Sequence, residues 1–162
     1  MVDSYHASDS EESDEDFTKF KSIDLKRLDI EIQLARDRNQ YCLIFDKSGQ
    51  AATFFSYKAN LKDFAKEVVA NKIGKKLKKD SIELLRKSLV YSIKAGEVMV
   101  VNCDKTLPDF TKVYTHDKEF PTQKIFDYDL WNTRTEYMSI VKPDENKDLL
   151  GNHDCYLRNP NF

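Results

Sequence analysis

The residues Asp46-Lys47-Ser48-Gly49-Gln50 have the chemical types that could hold a phosphate group. They follow a short apolar run and precede a predicted helix, whose first N–H groups would attract an anion. A P-loop, however, needs closely spaced glycines followed by Lys and Ser or Thr. This segment has one glycine, and Gly74-Lys75-Lys76 lacks both the upstream glycine and the hydroxyl residue. The pattern argues against nucleotide hydrolysis and leaves Asp46, Ser48, Gly49 and Gln50 as candidates for nucleotide binding without a P-loop.

A calcium loop is a second candidate. Asp144, Asn146 and Asp148 have the alternating spacing of the first ligands in such a loop. The sixth position is Leu149 where a sharp turn needs glycine, and the twelfth is Cys155 where a bidentate glutamate belongs. We therefore interpret this stretch as a solvated polar loop.

Histidine and cysteine could provide a zinc site or a nucleophile with its base. His6, His116 and His153 do not flank paired cysteines at the spacing of zinc ligands. His153-Asp154-Cys155 could bring a thiol and a base together, but a surface loop explains the same residues. No candidate is stronger than its ordinary structural explanation, so we predict that the chain has no cofactor and no metal and is not an enzyme.

Charge is distributed unevenly along the 162 residues. Residues 3–16 contain seven acidic side chains and no Lys or Arg, whereas the other 148 positions carry 26 basic and 21 acidic residues. That surplus is too small for the dense basic face of a strong nucleic-acid binder. No apolar stretch is long enough for a membrane span, and the N-terminus is unlike a signal peptide. We expect a cytoplasmic protein with reduced cysteines and with neither nucleic-acid nor membrane partners.

The acidic tail, residues 1–16, has almost nothing to bury and is predicted to be disordered. Ser8 and Ser13 each precede an acid by three positions, a pattern that acidophilic kinases favour. The tail is either a phosphorylation switch or simply a solvated acidic segment.

Residues 17–39 are predicted to form a helix, because Leu25, Leu28 and Ile32 recur at helical spacing. Residues 40–162 are predicted to form one α/β domain with a partly parallel sheet. In it Tyr41–Phe45 and Val98–Val101 are continuous apolar runs typical of buried strands. Helices are predicted between these runs, over 51–57, 61–71 and 81–95, the last ended by Gly96. This order is that of a β–α–β unit.

The C-terminal part gives weaker signals. Aromatic residues at mixed spacing in Ile125–Met138 indicate short helices, and Cys155–Leu157 is predicted as a last short strand. Trp131 could belong to a partner surface together with Leu25, Leu28 and Ile32, or it could fill the core.

Two segments resemble the fifth AAA module of dynein heavy chains. Residues 43–51, Leu-Ile-Phe-Asp-Lys-Ser-Gly-Gln-Ala, are similar to that module's Leu-Ile-Asp-Pro-Gln-Gly-Gln-Ala, and the residues 157–162 are similar to its Leu-Arg-Asn-Pro-His-Tyr. Residues 54–58, Phe-Phe-Ser-Tyr-Lys, and 136–143 also resemble the C-terminal domain of proteins that combine ankyrin repeats with an IQ motif. The resemblance implies a small AAA-like (P-loop-NTPase-like) fold that has no P-loop.

The departures limit what this resemblance implies. The chain has no ankyrin repeats, and Lys47-Ser48 replaces the Pro-Gln of dynein. Motor activity is therefore not carried over, and likeness of fold alone does not establish function.

We expect a non-catalytic protein-interaction or scaffold protein, with axonemal or microtubule-associated partners implied by the dynein resemblance. The alternative is a nucleotide-responsive binding domain without hydrolysis. A third hypothesis is a truncated relic of a larger dynein-like gene.

Overall fold

Two short parallel strands, separated along the chain by two helices, form the centre of the fold. The computed structural model describes residues 20–162. Strand β1 is Asn60–Asp63 and strand β2 is Met99–Asn102, and Asn60 pairs with Met99 at the start of the register. Helices α3, Phe64–Lys72, and α4, Lys78–Ala95, connect them. The chain is therefore of the α/β class, with the predicted β–α–β order and with the second strand close to its predicted place.

The first strand does not lie where the sequence predicted it. Tyr41–Phe45 has no strand structure and is exposed throughout, so the prediction of a buried strand there is wrong. β1 is formed instead by the polar sequence Asn-Leu-Lys-Asp. The polar character is accommodated because the Asn60 side-chain amide donates to the Ser88 carbonyl at 3.0 Å and to Ser92 Oγ at 2.8 Å, both on α4.

The remaining helices are short. A 3₁₀ turn, Leu25–Arg27, leads into helix α1, Leu28–Arg36, inside the predicted 17–39 helix, and helix α2 is Gln50–Lys58. Three single-turn helices follow β2: α5 Thr122–Ile125, α6 Tyr128–Trp131 and α7 Arg134–Met138. They confirm the prediction of short helices in the aromatic stretch, whereas Cys155–Leu157 has no strand structure and that prediction is wrong.

The C-terminal end of α4 is closed by residues far along the chain. Gly96 has φ 79°, the left-handed conformation that glycine tolerates at a helix end. The Asn159 backbone N–H donates to the Ile93 carbonyl at 2.9 Å, and its side-chain amide donates to the Ala95 carbonyl at 3.2 Å. A Cβ atom at Gly96 would lie 2.6 Å from the Asn159 side chain, so this close approach also requires glycine.

The buried apolar residues form two clusters. The main cluster surrounds α4, and the second lies between α1 and α2. The main cluster comprises Phe64, Val68, Ile82, Leu85, Leu89, Val90, Ile93, Tyr114, Phe120, Ile125, Trp131, Tyr137, Ile140 and Tyr156. The second cluster, called here the α1–α2 cluster, comprises Leu28, Ala51 and Phe55. No helix within residues 20–162 is long and apolar enough to cross a bilayer. The predicted acidic tail, with Ser8 and Ser13, lies outside the described residues.

Candidate interaction surface

The nucleotide-binding candidates lie at the N-terminus of α2, where Asp46 already occupies the position open to an anion. One Asp46 carboxylate oxygen accepts hydrogen bonds from the Ser48 backbone N–H at 2.8 Å and from the Ser48 hydroxyl at 2.6 Å. The other accepts from the Ala51 N–H at 2.7 Å. Gly49, at φ 74°, makes the turn into the helix, and Ser48 Oγ accepts from the Gln50 N–H at 3.2 Å.

These bonds also fix the charge at the helix start. The Ser48 hydroxyl, together with backbone N–H groups, holds the pKa of Asp46 below its usual value, although burial opposes the shift. An ionised carboxylate therefore satisfies the helix N-terminus. A phosphate placed at the same N–H groups would meet this negative charge. The geometry is that of a helix cap made by the chain itself.

Of the predicted partner residues, two are buried inside the chain. Leu28 is 3% exposed in the α1–α2 cluster, and Trp131 is 2% exposed in the main cluster. Leu25 and Ile32 are partly buried against the α1–α2 cluster. This stripe of α1 therefore packs against α2, and Trp131 fills the core, so neither Leu28 nor Trp131 presents its side chain to a partner in this structure.

Another set of apolar side chains is exposed to solvent, although the sequence analysis assigned them to a buried strand or left them unassigned. They lie on the segment before α1, on the outer side of α1 and on the segment after it. We call this set the N-terminal apolar surface: Phe20, Ile23, Ile30, Leu34, Leu43, Ile44 and Phe45. Leu43 is 80% exposed, and Phe20 and Phe45 are each about half exposed.

Several contacts bring these segments together. The rings of Phe20 and Phe45 lie 4.8 Å apart, so the segments before and after α1 meet. Lys21 Nζ lies 2.5 Å from Glu31 Oε2, which places the first segment along α1. Leu34 is three positions after Glu31 and one turn after Ile30, so both lie on the side of α1 adjacent to this contact.

The backbone of residues 41–44 adds a second property. Their N–H and C=O groups make no backbone hydrogen bond with any residue in the range 20–162. The side chain of Tyr41 anchors the beginning of the segment, because its hydroxyl donates to the Ile125 carbonyl at 2.8 Å and its ring lies 5.1 Å from that of Tyr128. An apolar, β-prone segment is thus held at one end, and residues 41–44 have backbone groups that no described residue pairs with.

A second feature that the sequence analysis missed is a buried arginine. Arg86 on α4 is 1% exposed. Its Nε and Nη2 donate to the Glu83 carboxylate at 2.7 and 2.8 Å, and its Nη1 and Nη2 donate to the Glu145 carboxylate at 2.6 and 2.9 Å. Nη1 also donates to the Ile140 carbonyl at 2.7 Å. All five N–H groups of the guanidinium are therefore used.

The Arg86 network connects α4 to the loop after α7, and its charges are mutually stabilised. The Arg86 hydrogen bonds lower the pKa of Glu83 to about 2, although burial opposes the shift. Burial alone would raise the pKa of Glu145, but the Arg86 guanidinium and the Lys142 N–H hold it below its usual value. Every group in the network has a partner in the chain, which is the pattern of a structural ion-pair cluster.

The residues that the sequence analysis considered as metal ligands do not come together at a common point. Asp148 accepts from the backbone N–H groups of Leu150 and Asn152, whereas Asn146 donates to Asp154. In the described part of the chain, no three His, Cys, Asp or Glu side chains are grouped as metal ligands. A surface depression between β1 and α4 contains none of the predicted site residues. In comparisons with known proteins, no family model, curated protein or solved structure matches this chain.

Proposed function

We propose that the chain is a non-catalytic protein-interaction module that binds its partner through the N-terminal apolar surface. The observation that carries the proposal is the exposure of Leu43, 80%, within residues 41–44, whose backbone groups make no backbone hydrogen bond to residues 20–162. Exposed apolar patches on otherwise well-packed domains commonly mark protein-binding sites.

The chemistry of the segment defines the mode of binding. Residues 41–44 add as a strand to an extended segment of the partner, because main-chain hydrogen bonds then satisfy the unused groups. Leu43 and Phe45, two positions apart, lie on the same side of such a strand and bury their side chains against the partner. Fixing Tyr41 at Ile125 reduces the ordering cost of forming the strand.

The partner proposed is an axonemal or microtubule-associated protein, and the proposed architecture is AAA-like. Both rest on the resemblance of residues 43–51 and 157–162 to the dynein module. The parallel β–α–β arrangement of β1, α3, α4 and β2 is compatible with such a fold.

The test is proximity labelling in ciliated cells with the full chain tagged at its N-terminus, followed by binding measurements with the enriched protein. Leu43→Asp places a charge in the apolar surface, and Leu43→Pro keeps the apolar character but removes the backbone N–H. Each is expected to weaken binding by about tenfold or more, the effect of losing one central contact. Because Leu43 is so exposed, Leu43→Asp is expected to change the free energy of unfolding by no more than about 0.5 kcal/mol.

Matched controls are Leu149→Asp and Leu149→Pro, since Leu149 is also fully exposed but lies in the loop after α7. They are expected to bind like the natural chain. Enrichment of no axonemal or microtubule protein would contradict the proposed partner. Equal binding by the Leu43 and Leu149 variants would contradict the proposed surface, and loss of binding by Leu43→Asp but not by Leu43→Pro would contradict strand addition.

A further inference from the structure

The connection between α3 and α4 carries the densest positive charge of the described chain. Five lysines lie within eight residues, and we call them the lysine patch: Lys72, Lys75, Lys76, Lys78 and Lys79. All except Lys76 are exposed. Lys75 and Lys76 lie on the connection itself, Lys72 is the last residue of α3, and Lys78 and Lys79 are the first residues of α4, so the five lysines are close along the chain.

The charges of the lysine patch are largely unpaired. Lys76 Nζ lies 2.6 Å from Glu67 Oε2, and within residues 20–162 none of the other four lysines makes an ion pair or hydrogen bond through its side chain. Asp80, at the start of α4, is the one acidic residue among positions 72–80. The patch therefore presents an excess of positive charge to solvent.

Apolar side chains are interleaved with these lysines. Ile73 and Leu77 are each 59% exposed, and Val69, one turn before Ile73, is 50% exposed. A connection that contacts only solvent does not require exposed aliphatic side chains. The combination of ammonium groups and exposed aliphatic side chains fits a ligand segment that is strongly acidic and carries a few apolar residues.

We propose that this ligand is the acidic N-terminal segment of the same chain, residues 3–16. Charge complementarity supports this occupant, because the segment has seven acidic side chains and no Lys or Arg. Tyr5 provides an aromatic ring to pack against Ile73 and Leu77. The inference uses a different surface from the N-terminal apolar surface and does not depend on the proposed function.

The length of the segment allows the contact. Its attachment point is Phe20, which is held against Phe45. At about 3.3 Å per extended residue, Asp9 can reach about 36 Å from Phe20 and Asp3 about 56 Å. A domain of this size has a radius of gyration of about 15 Å, so Asp3 and Asp9 can reach across much of its surface, whereas Asp14 reaches at most about 20 Å from Phe20.

The attachment also strengthens a weak interaction. A ligand on a short linker has an effective concentration of about millimolar, enough to occupy a site made mainly of exposed charges. Phosphorylation of Ser8 or Ser13 would add about 1.5 to 2 negative charges per site. The tail would therefore cover the lysine patch more fully when phosphorylated, and the patch would become less accessible to other acidic ligands.

The test is the rate at which an amine-acylating reagent modifies each lysine of the full chain, followed by mass spectrometry at low ionic strength. The comparison variant neutralises the tail through Asp9→Asn, Glu11→Gln, Glu12→Gln, Asp14→Asn, Glu15→Gln and Asp16→Asn. The patch lysines are expected to react about twofold or more faster in this variant, the change expected when a half-occupied site is vacated. Exposed lysines on another connection serve as internal controls and are expected to react equally in both proteins: Lys105, Lys112 and Lys118.

Four further outcomes test the inference. In about 1 M salt, where the screening length falls to about 3 Å, the difference between the two proteins is expected to disappear. Phosphorylation of Ser8 and Ser13 is expected to slow the reaction of the patch lysines further. Equal reactivity of the patch in the natural and neutralised chains would overturn the inference, and so would protection that falls on dilution, since the occupant would then be the tail of a second copy.

Discussion

The two apolar clusters of the chain differ in how completely they are enclosed. The main cluster has fourteen buried residues around α4, and the Arg86 network joins that helix to the loop after α7. The α1–α2 cluster has three buried residues, and partly exposed side chains such as Leu25 and Phe54 surround it. Seven of the exposed large apolar residues lie together at the N-terminal apolar surface, on α1 and the segments beside it.

This difference indicates that the two regions of the chain differ in stability. Buried apolar area is the main source of stability, and parts of a protein with little of it open most readily. The region around α4 maintains the fold, whereas α1, α2 and the segment between them bury little apolar area, so they can rearrange on binding at a low cost in free energy. The following predictions test that contrast.

The largest effect is expected from Arg86→Met. Methionine retains most of the aliphatic length but leaves the Glu83 and Glu145 carboxylates without their shared cation. Removing one member of a buried ion pair typically destabilises a protein by about 3–5 kcal/mol, and the free energy of unfolding in urea should fall by that amount. The control is Lys87→Met, the adjacent residue with a side chain 66% exposed, which should change it by no more than about 0.5 kcal/mol. A loss below about 1 kcal/mol for Arg86→Met would show that the network does not hold α4 in place.

Acid should weaken the same region. The folded pKa of Glu83 is about 2, below its ordinary value of 4.5. Its contribution, on the order of 3 kcal/mol, is therefore present above pH 4.5 and is lost as pH falls towards 2. Unfolding free energies measured between pH 6 and 2.5 should fall less steeply in Glu83→Gln than in the natural chain. Parallel pH profiles for the two proteins would contradict this assignment.

The smallest effect of the three concerns the α1–α2 cluster. Leu28→Ala should cost about 2 kcal/mol, the lower end for a buried leucine, because the surrounding side chains are partly exposed and can relax. Hydrogen exchange should accelerate at the amides of α1 and α2 and remain slow in α4. Leu34→Ala makes the same change on the exposed side of α1 and should leave exchange nearly unaltered. If Leu28→Ala accelerated exchange in α4 equally, the two clusters would form one cooperative unit.

Local patterns were enough to predict α2 and α4 closely but not the first strand, and the helix predicted over 61–71 is wrong at its start, because residues 61–63 lie in β1 and α3 begins at Phe64. The apolar periodicity of α4 and the glycine that ends it gave nearly correct bounds, because both signals are local. Tyr41–Phe45 has the composition of a buried strand, but whether a segment is covered depends on which other parts of the chain pack on it. β1 was not predicted because its sequence is polar. The hydrogen-bond partners of the Asn60 side-chain amide, Ser88 and Ser92, are brought to it only by folding.

The candidate site shows the same limit. Leu28 was predicted correctly to lie on an apolar helix face, but the face packs on α2, so the accessible side of the helix was misjudged. Arg86 gave no signal as a single residue. The serines at 81, 88 and 92, all buried on α4, follow helical spacing and indicate that this helix is covered on more than its apolar stripe. Arg86 itself lies four positions after Ile82 and three before Leu89, on the apolar stripe, and this spacing could have suggested that it was enclosed.

The contact of Asn159 with the end of α4 has a consequence for the order in which the chain is made. Helix α4 ends at Ala95, yet the residue that closes its last carbonyl groups is translated more than sixty positions later. At about 5–20 residues per second, a ribosome needs about 3–13 s to add that stretch. During this interval the last carbonyl groups of α4 lack this partner, and the domain can acquire its final form only after residue 159 has been added.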